Sequence, residues 1–378
     1  MSRCLRLQIL LAVATGLAAG LVSARPAAAE SRSYVMSSFW HAMDTREGDC
    51  SKGVNPKIKE QYELNLAALG YSQKQIAALM ENFVEGVGGE GGESVRSLMA
   101  NRGRIDGKPV NAYIYPMAVA DPKLNPMDGK YAHGFNLDGV GATSTSLVDP
   151  ETLETGVDHQ LARVLGCIEP MRGKLKESTA FWLYWWVAIK DSTPAWTITI
   201  SGDDLSKDGP ITISFGRAME AVIYNRDGSP RQAMTYRADP DPRVNNNTYK
   251  AQIRDGVITV TEHGKFRAIN DQLLFPKMSL DNFHARLKIL PNGLLEGIMG
   301  GYQPIEEIYF AMSSGNSTSE EGFGADWAGI YHLLRRLADA APDENGQNWS
   351  ISTAYFLQAA PAFVMQLNDA DRRQALSR

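Results

Sequence analysis

The chain has 378 residues, 44% of them hydrophobic and 21% charged, with a formal net charge of −5. That is too apolar for a disordered polymer and too long for one small module, and it lacks the basic excess of a nucleic-acid binder. What remains is a globular protein with chain enough for two or three compact units.

Residues 1–29 read as a secretory signal peptide. Arg3 and Arg6 open it, an apolar stretch runs from Leu7 to Ala24, and Ala27-Ala28-Ala29 offers a small-residue cleavage site before Glu30. A retained membrane anchor is the competing reading, since the stretch approaches the roughly 20 residues of a spanning helix. The alanine ending and the lack of a following basic cluster favour removal. The mature protein is therefore expected in the periplasm or outside the cell, with no membrane span after cleavage.

Export changes how the cysteines read. Cys4 would leave with the signal, so Cys50 and Cys167 remain, 117 positions apart. An oxidising compartment favours their pairing. The chain-entropy model gives such a bridge roughly 5 kcal/mol as an upper figure. Two free thiols are the alternative. A catalytic thiolate has no support, because no histidine stands at a suggestive spacing.

Residues 36–54 are polar and aromatic with no clear period. A helical hairpin follows: Asn55-Pro56 offers an N-cap and first-turn proline, and Ile58, Tyr62, Leu66 and Leu69 recur at helical steps. Gly70 is placed to end that helix, and Ser72 with Gln75 forms a capping box for the next, which carries Ile76, Leu79, Met80 and Phe83 on one face. The glycine run 86–92 lacks the Lys-Ser/Thr of a phosphate loop and follows a helix, so it reads as a surface loop. Residues 108–149 are irregular, with a short strand at 110–115 and turns at Met127-Asp128-Gly129 and Leu137-Asp138-Gly139. A helix over 157–166 follows, with Asp158 in its first turn.

Past Pro194 the period changes to two. Strands are expected at 196–200, 211–215, 221–224, 232–236, 249–253, 257–261, 283–289 and 294–299, several separated by Asp-Gly or Asn-Gly turns. In the clearest, Phe283, Ala285, Leu287 and Ile289 share one face while His284, Arg286 and Lys288 share the other. A helix over 325–339 comes next, then a last strand near 351–357 and a polar tail, 367–378. The fold class is α+β: a helical and irregular N-terminal region (30–180), then an antiparallel β-sandwich or barrel (181–366) with a C-terminal helix.

Two constellations could carry function. In the segment 181–187, a strand would set Trp182, Tyr184 and Trp186 in an aromatic row suited to a glycan or apolar small molecule; as a helix it would be buried core. The second gathers His133, Asn136, Asp138, Asp158 and His159, of which His133, Asp138, Asp158 and His159 are candidate ligands for a divalent metal. Their spacing matches no diagnostic metal motif, and turn and cap roles account for both aspartates. Asp239 and Asp241 are expected to pair with neighbouring arginines, and Asp343–Asn348 to be a polar loop. No Gly-x-Ser-x-Gly elbow, Cys-x-x-Cys or dinucleotide fingerprint is present. The expectation is an exported, non-catalytic ligand-binding or accessory protein without nucleic-acid partners and with no required cofactor. A metal- or carboxylate-dependent hydrolase and a structural partner in an envelope complex are the rivals.

Overall fold

The computed structural model describes residues 30–81, 83, 90–144, 146–177, 193–269, 277–313 and 317–367. Eight strands dominate it: β1 (Glu30–His41), β2 (Pro194–Gly202), β3 (Gly209–Ala221), β4 (Asn247–Arg254), β5 (Val257–Val260), β6 (Lys277–Ile289), β7 (Leu295–Pro304) and β8 (Asn348–Met365). Each pairs antiparallel with the next, and β8 pairs back to β1, which closes an up-and-down barrel. Of the two expected β architectures, the barrel is the one formed.

The alternation read from the sequence sets inside against outside. Ile211, Ile213 and Phe215 are buried in β3 while Thr212 is exposed; Tyr249, Ala251 and Ile253 are buried in β4 while Thr248 and Lys250 are exposed. In β6, Phe283, Ala285 and Leu287 turn inward and His284, Arg286 and Lys288 outward. Apolar-in, polar-out is the reverse of a membrane barrel's pattern. No helix among the described residues is long and apolar enough to cross a membrane.

Eight strands enclose a space that side chains can fill, and here aromatic rings fill it. Phe39 stacks on Tyr355 at 4.7 Å between centroids, Tyr249 lies 4.7 Å from Phe283, and Phe215 meets Phe266 and Phe283 edge-on at 5.6 and 5.5 Å. Phe266 comes from a further strand, Phe266–Ile269, paired with the start of β6. The gap left beside Trp196, Phe215 and Phe266 measures about 10 Å³, room for about one water.

Several strands depart from expectation. The one expected at 110–115 is Lys108–Val110, paired with Gly103–Ile105, and 221–224 is not a strand, since β3 ends at Ala221. Residues 36–41, read as irregular, lie in β1, and the last strand runs from 348 to 365 rather than 351–357. Both have a second buried face, because a helical layer covers the barrel outside them. Trp40 and Phe356 pack there at 4.8 Å, and the Trp40 indole donates to the Leu175 carbonyl at 2.8 Å. The boundary expected near 175–195 falls mostly on residues 178–192, outside the described residues.

The described helices are α1 (Ile58–Ala68), α2 (Gln73–Met80), α3 (Glu90–Ala100), α4 (Gln160–Leu165), α5 (Ile305–Ser313), α6 (Ser317–Phe323) and α7 (Trp327–Leu337). The first three enclose their own core of Ile58, Tyr62, Leu66, Ile76, Met80, Phe83, Val95 and Met99. The Ser72–Gln75 capping box is present, and Gly70 takes the left-handed φ of +92° that ends α1. Asn55 does not cap α1, which starts two residues later than expected. Its side chain donates instead to the carbonyls of Asn125 and Cys167, at 2.9 and 3.1 Å. Asp158 likewise precedes α4 and pairs with Phe135 in an isolated bridge. Cys50 and Cys167 are disulfide-bonded with Cα atoms 5.8 Å apart, tying the segment after β1 to the end of α4.

Candidate functional site

The four candidate metal ligands fall in two places. Asp158, in a bridge with Phe135, and His159, the residue before α4, are consecutive, and their side chains bond in different places. Asp158 turns to the surface, where its Oδ2 accepts the amides of Leu137 and Asp138 at 2.8 and 3.2 Å. Burial and the Asp138 charge raise its carboxyl above the usual range. Asp138 is exposed and accepts the Val140 amide at 2.7 Å. His159 turns inward and is fully buried; its Nδ1 donates to the His133 carbonyl at 2.8 Å, which leaves Nε2 as the bare nitrogen. The His133 ring lies 3.8 Å from Asp149, which is itself held by Arg286 at 2.9 Å and by the amides of Gly134, Glu151 and Thr152. Among the described residues no three His, Cys, Asp or Glu converge to hold a metal ion.

Trp182, Tyr184 and Trp186 lie outside the described residues. Of the ion pairs expected from the flanking arginines, Arg243 with Asp241 forms, at 2.5 Å; Asp239 pairs instead with Arg217 of β3 at 2.7 Å, and the flanking Arg237 pairs with Glu220. Asp343 accepts the amides of Asn345 and Gln347 and the Trp349 indole, so its loop is held by its own chain.

An open groove at the barrel rim was not legible in the sequence. The β1–β8 ladder runs from His41–Tyr355 to Ser33–Ala362 and ends there. Beyond that pair the strands part: Glu30–Arg32 stays with β2 alone, whereas Phe363–Met365 keeps Thr235–Arg237 as a parallel neighbour. The wedge between them has a volume of about 450 Å³ and is lined by Arg32, Tyr34, Ile289, Gly293, Phe363 and Val364, among others. Gly293, at a φ of +86°, lies beside Pro361, where an added Cβ would meet the proline ring at 3.5 Å.

Backbone parity shows which groups face the wedge. The carbonyls of Pro361 and Met365 accept from Ala233 and Ala238, at 2.7 and 2.9 Å, on the edge away from β1. Successive residues of a strand alternate edges. The N–H and C=O of Val364 therefore point to the β1 side, past the end of that ladder. Phe363 and Met365 beside it are 64% and 50% exposed. Arg32 is neutralised by Glu30 at 2.7 Å. The wedge is thus an apolar, nearly uncharged slot bounded by strand edges. The one local sequence sign was Pro361 inside a strand, since proline stands where a ladder is interrupted.

No family model, no curated protein and no solved structure matches this chain, so its function rests on the geometry of the site itself.

Proposed function

We propose that the chain is an exported, non-catalytic binding protein that holds an extended, apolar segment of a partner protein in the wedge between β1 and β8. The observation that carries this reading is the end of the β1–β8 ladder at Ser33–Ala362, with the Val364 edge and the Phe363 and Met365 side chains beyond it. A strand added there would gain main-chain bonds from the edge and side-chain contacts from the two exposed apolar residues. The filled barrel interior favours a surface site over a central one. Export is supported by the signal-like N-terminus and by the Cys50–Cys167 bridge, which an oxidising compartment maintains.

The hydrolase reading has less support. Asp158 and Asp149 already accept two and three backbone amides, which is how carboxylates serve as turn locks.

The test is fluorescence anisotropy with labelled decapeptides of alternating apolar residues, titrated with the full chain. Saturable binding is expected, weakened at least about tenfold by Phe363→Asp and by Val364→Pro. The proline removes the wedge-side N–H and leaves the bonds on the opposite edge. Absence of binding, or equal binding by variants whose thermal unfolding is unchanged, overturns the proposal.

A further inference from the structure

The three-helix lobe α1–α3 has its own core, and a buried polar cluster joins it to the body. Glu320 of α6 is fully buried; its Oε2 accepts the hydroxyls of Tyr62 (α1) and Tyr113 at 2.6 and 2.7 Å, and its Oε1 accepts the Trp327 amide at 2.9 Å. Arg102, just past α3, lies 3.9 Å from Glu320 and bonds directly to Asp326, the N-cap of α7. Asp326 also accepts Asn65 of α1 at 2.7 Å, and its amide donates to Gln61 at 2.9 Å. Beside this, Arg96 of α3 grips Glu321 with two bonds of 2.6 and 2.7 Å. From α5, Tyr309 closes the cluster, its hydroxyl donating to the Tyr113 carbonyl at 2.9 Å.

The charges do not balance. Arg96 and Glu321 cancel as a bidentate pair. Glu320 and Asp326 share the single guanidinium of Arg102, so the enclosed trio is neutral only when Glu320 carries a proton and has one uncompensated negative charge when it does not. An uncompensated buried charge weakens whatever encloses it. What encloses this one is the seam between the lobe and the body.

We propose that Glu320 is a proton-operated latch: protonated, it holds the α1–α3 lobe against α6 and α7; ionised, it loosens that lobe while the barrel stays folded. Burial, opposed by Arg102, pushes the Glu320 carboxyl up to about 7, within the range where such a latch would work. An acid whose folded value is raised stabilises fully below its unfolded value of about 4.5, and that contribution is lost as pH rises through about 7. The lobe should therefore tighten in mild acid and loosen in mild alkali.

Hydrogen exchange followed by mass spectrometry on the full chain tests this between pH 5.5 and 8.5, after correction for intrinsic exchange. Peptides from 58–80 and 95–100 are expected to lose protection at least about fivefold more than barrel peptides from 196–215 and 283–303. Glu320→Gln should make the lobe's protection independent of pH. Tyr113→Phe, which removes one donor to the ionised form with little change of shape, should move the midpoint upward by about half a pH unit or more. Lobe and barrel tracking each other across pH overturns the latch, as does a pH dependence that survives Glu320→Gln. Should Glu320→Gln fail to fold, an unmoved midpoint in Tyr113→Phe overturns it instead.

Discussion

His159 illustrates how single residues in this chain have been recruited for packing. Its ring is buried with one nitrogen committed to the His133 carbonyl, and burial pushes it down to about 4; His41, buried beside Tyr355 and near His159, is pushed down to about 3. Both rings are neutral in the folded protein and ionise at about 6.5 when unfolded. Their contribution to stability is complete above about pH 6.5 and is lost as pH falls towards 4 and 3. In a Glu320→Gln background, where the latch no longer titrates and its opposing pH dependence is removed, the urea midpoint is accordingly expected to drop between pH 7 and pH 5. His159→Asn, whose amide reaches the same carbonyl without titrating, should flatten part of that drop; an unchanged pH profile would contradict the account. In the barrel, Phe283 touches Phe215, Tyr249 and Phe266 and has no exposure. Phe283→Ala is expected to cost about 3–5 kcal/mol by equilibrium unfolding, since rings on three sides resist collapse into the cavity.

Among the elements, those with one dry and one wet face were legible in the sequence. The β3, β4 and β6 strands alternate because water meets every second residue, and α7 shows a stripe because only Ile330, Leu333 and Leu334 and their neighbours turn inward. β1 and β8 were hidden for the opposite reason. With rings on one side and a helical layer on the other, they are buried on both faces and carry no period. The wedge was hidden with them, because it depends on which strands are neighbours and not on any local pattern; Pro361 alone marked it. The disulfide could be read in the sequence, since only two cysteines survive the expected cleavage. Reducing it, or replacing both residues by serine, should lower unfolding stability by about 2–5 kcal/mol by freeing a long loop in the unfolded chain. A loss well below that range would mean that the helical layer holds this region without the bridge.

On the scale of the whole molecule, the barrel is a filled scaffold, and what is open lies at its rim. One end is held under α5, where Glu307 accepts the amide and hydroxyl of Ser279 at 2.7 and 2.9 Å and pairs with Lys277 at 3.0 Å. At the other end β1 and β8 part, and the exposed Phe363 and Met365 mark the gap. A closed barrel removes strand edges; this one leaves a short edge where β1 and β8 part and lines it with apolar side chains. That combination is the basis for assigning the wedge to an extended protein segment. The most direct measurement is photo-crosslinking of a bound apolar decapeptide from a reactive group at position 363, compared with the same group at Leu153, an apolar and 71% exposed position in the turn between the short strands Leu147–Val148 and Thr155–Val157. The account predicts adducts from 363, mapped to β1 and β8, and none above background from 153. Equal yields from the two positions, or capture from 153 alone, would contradict it.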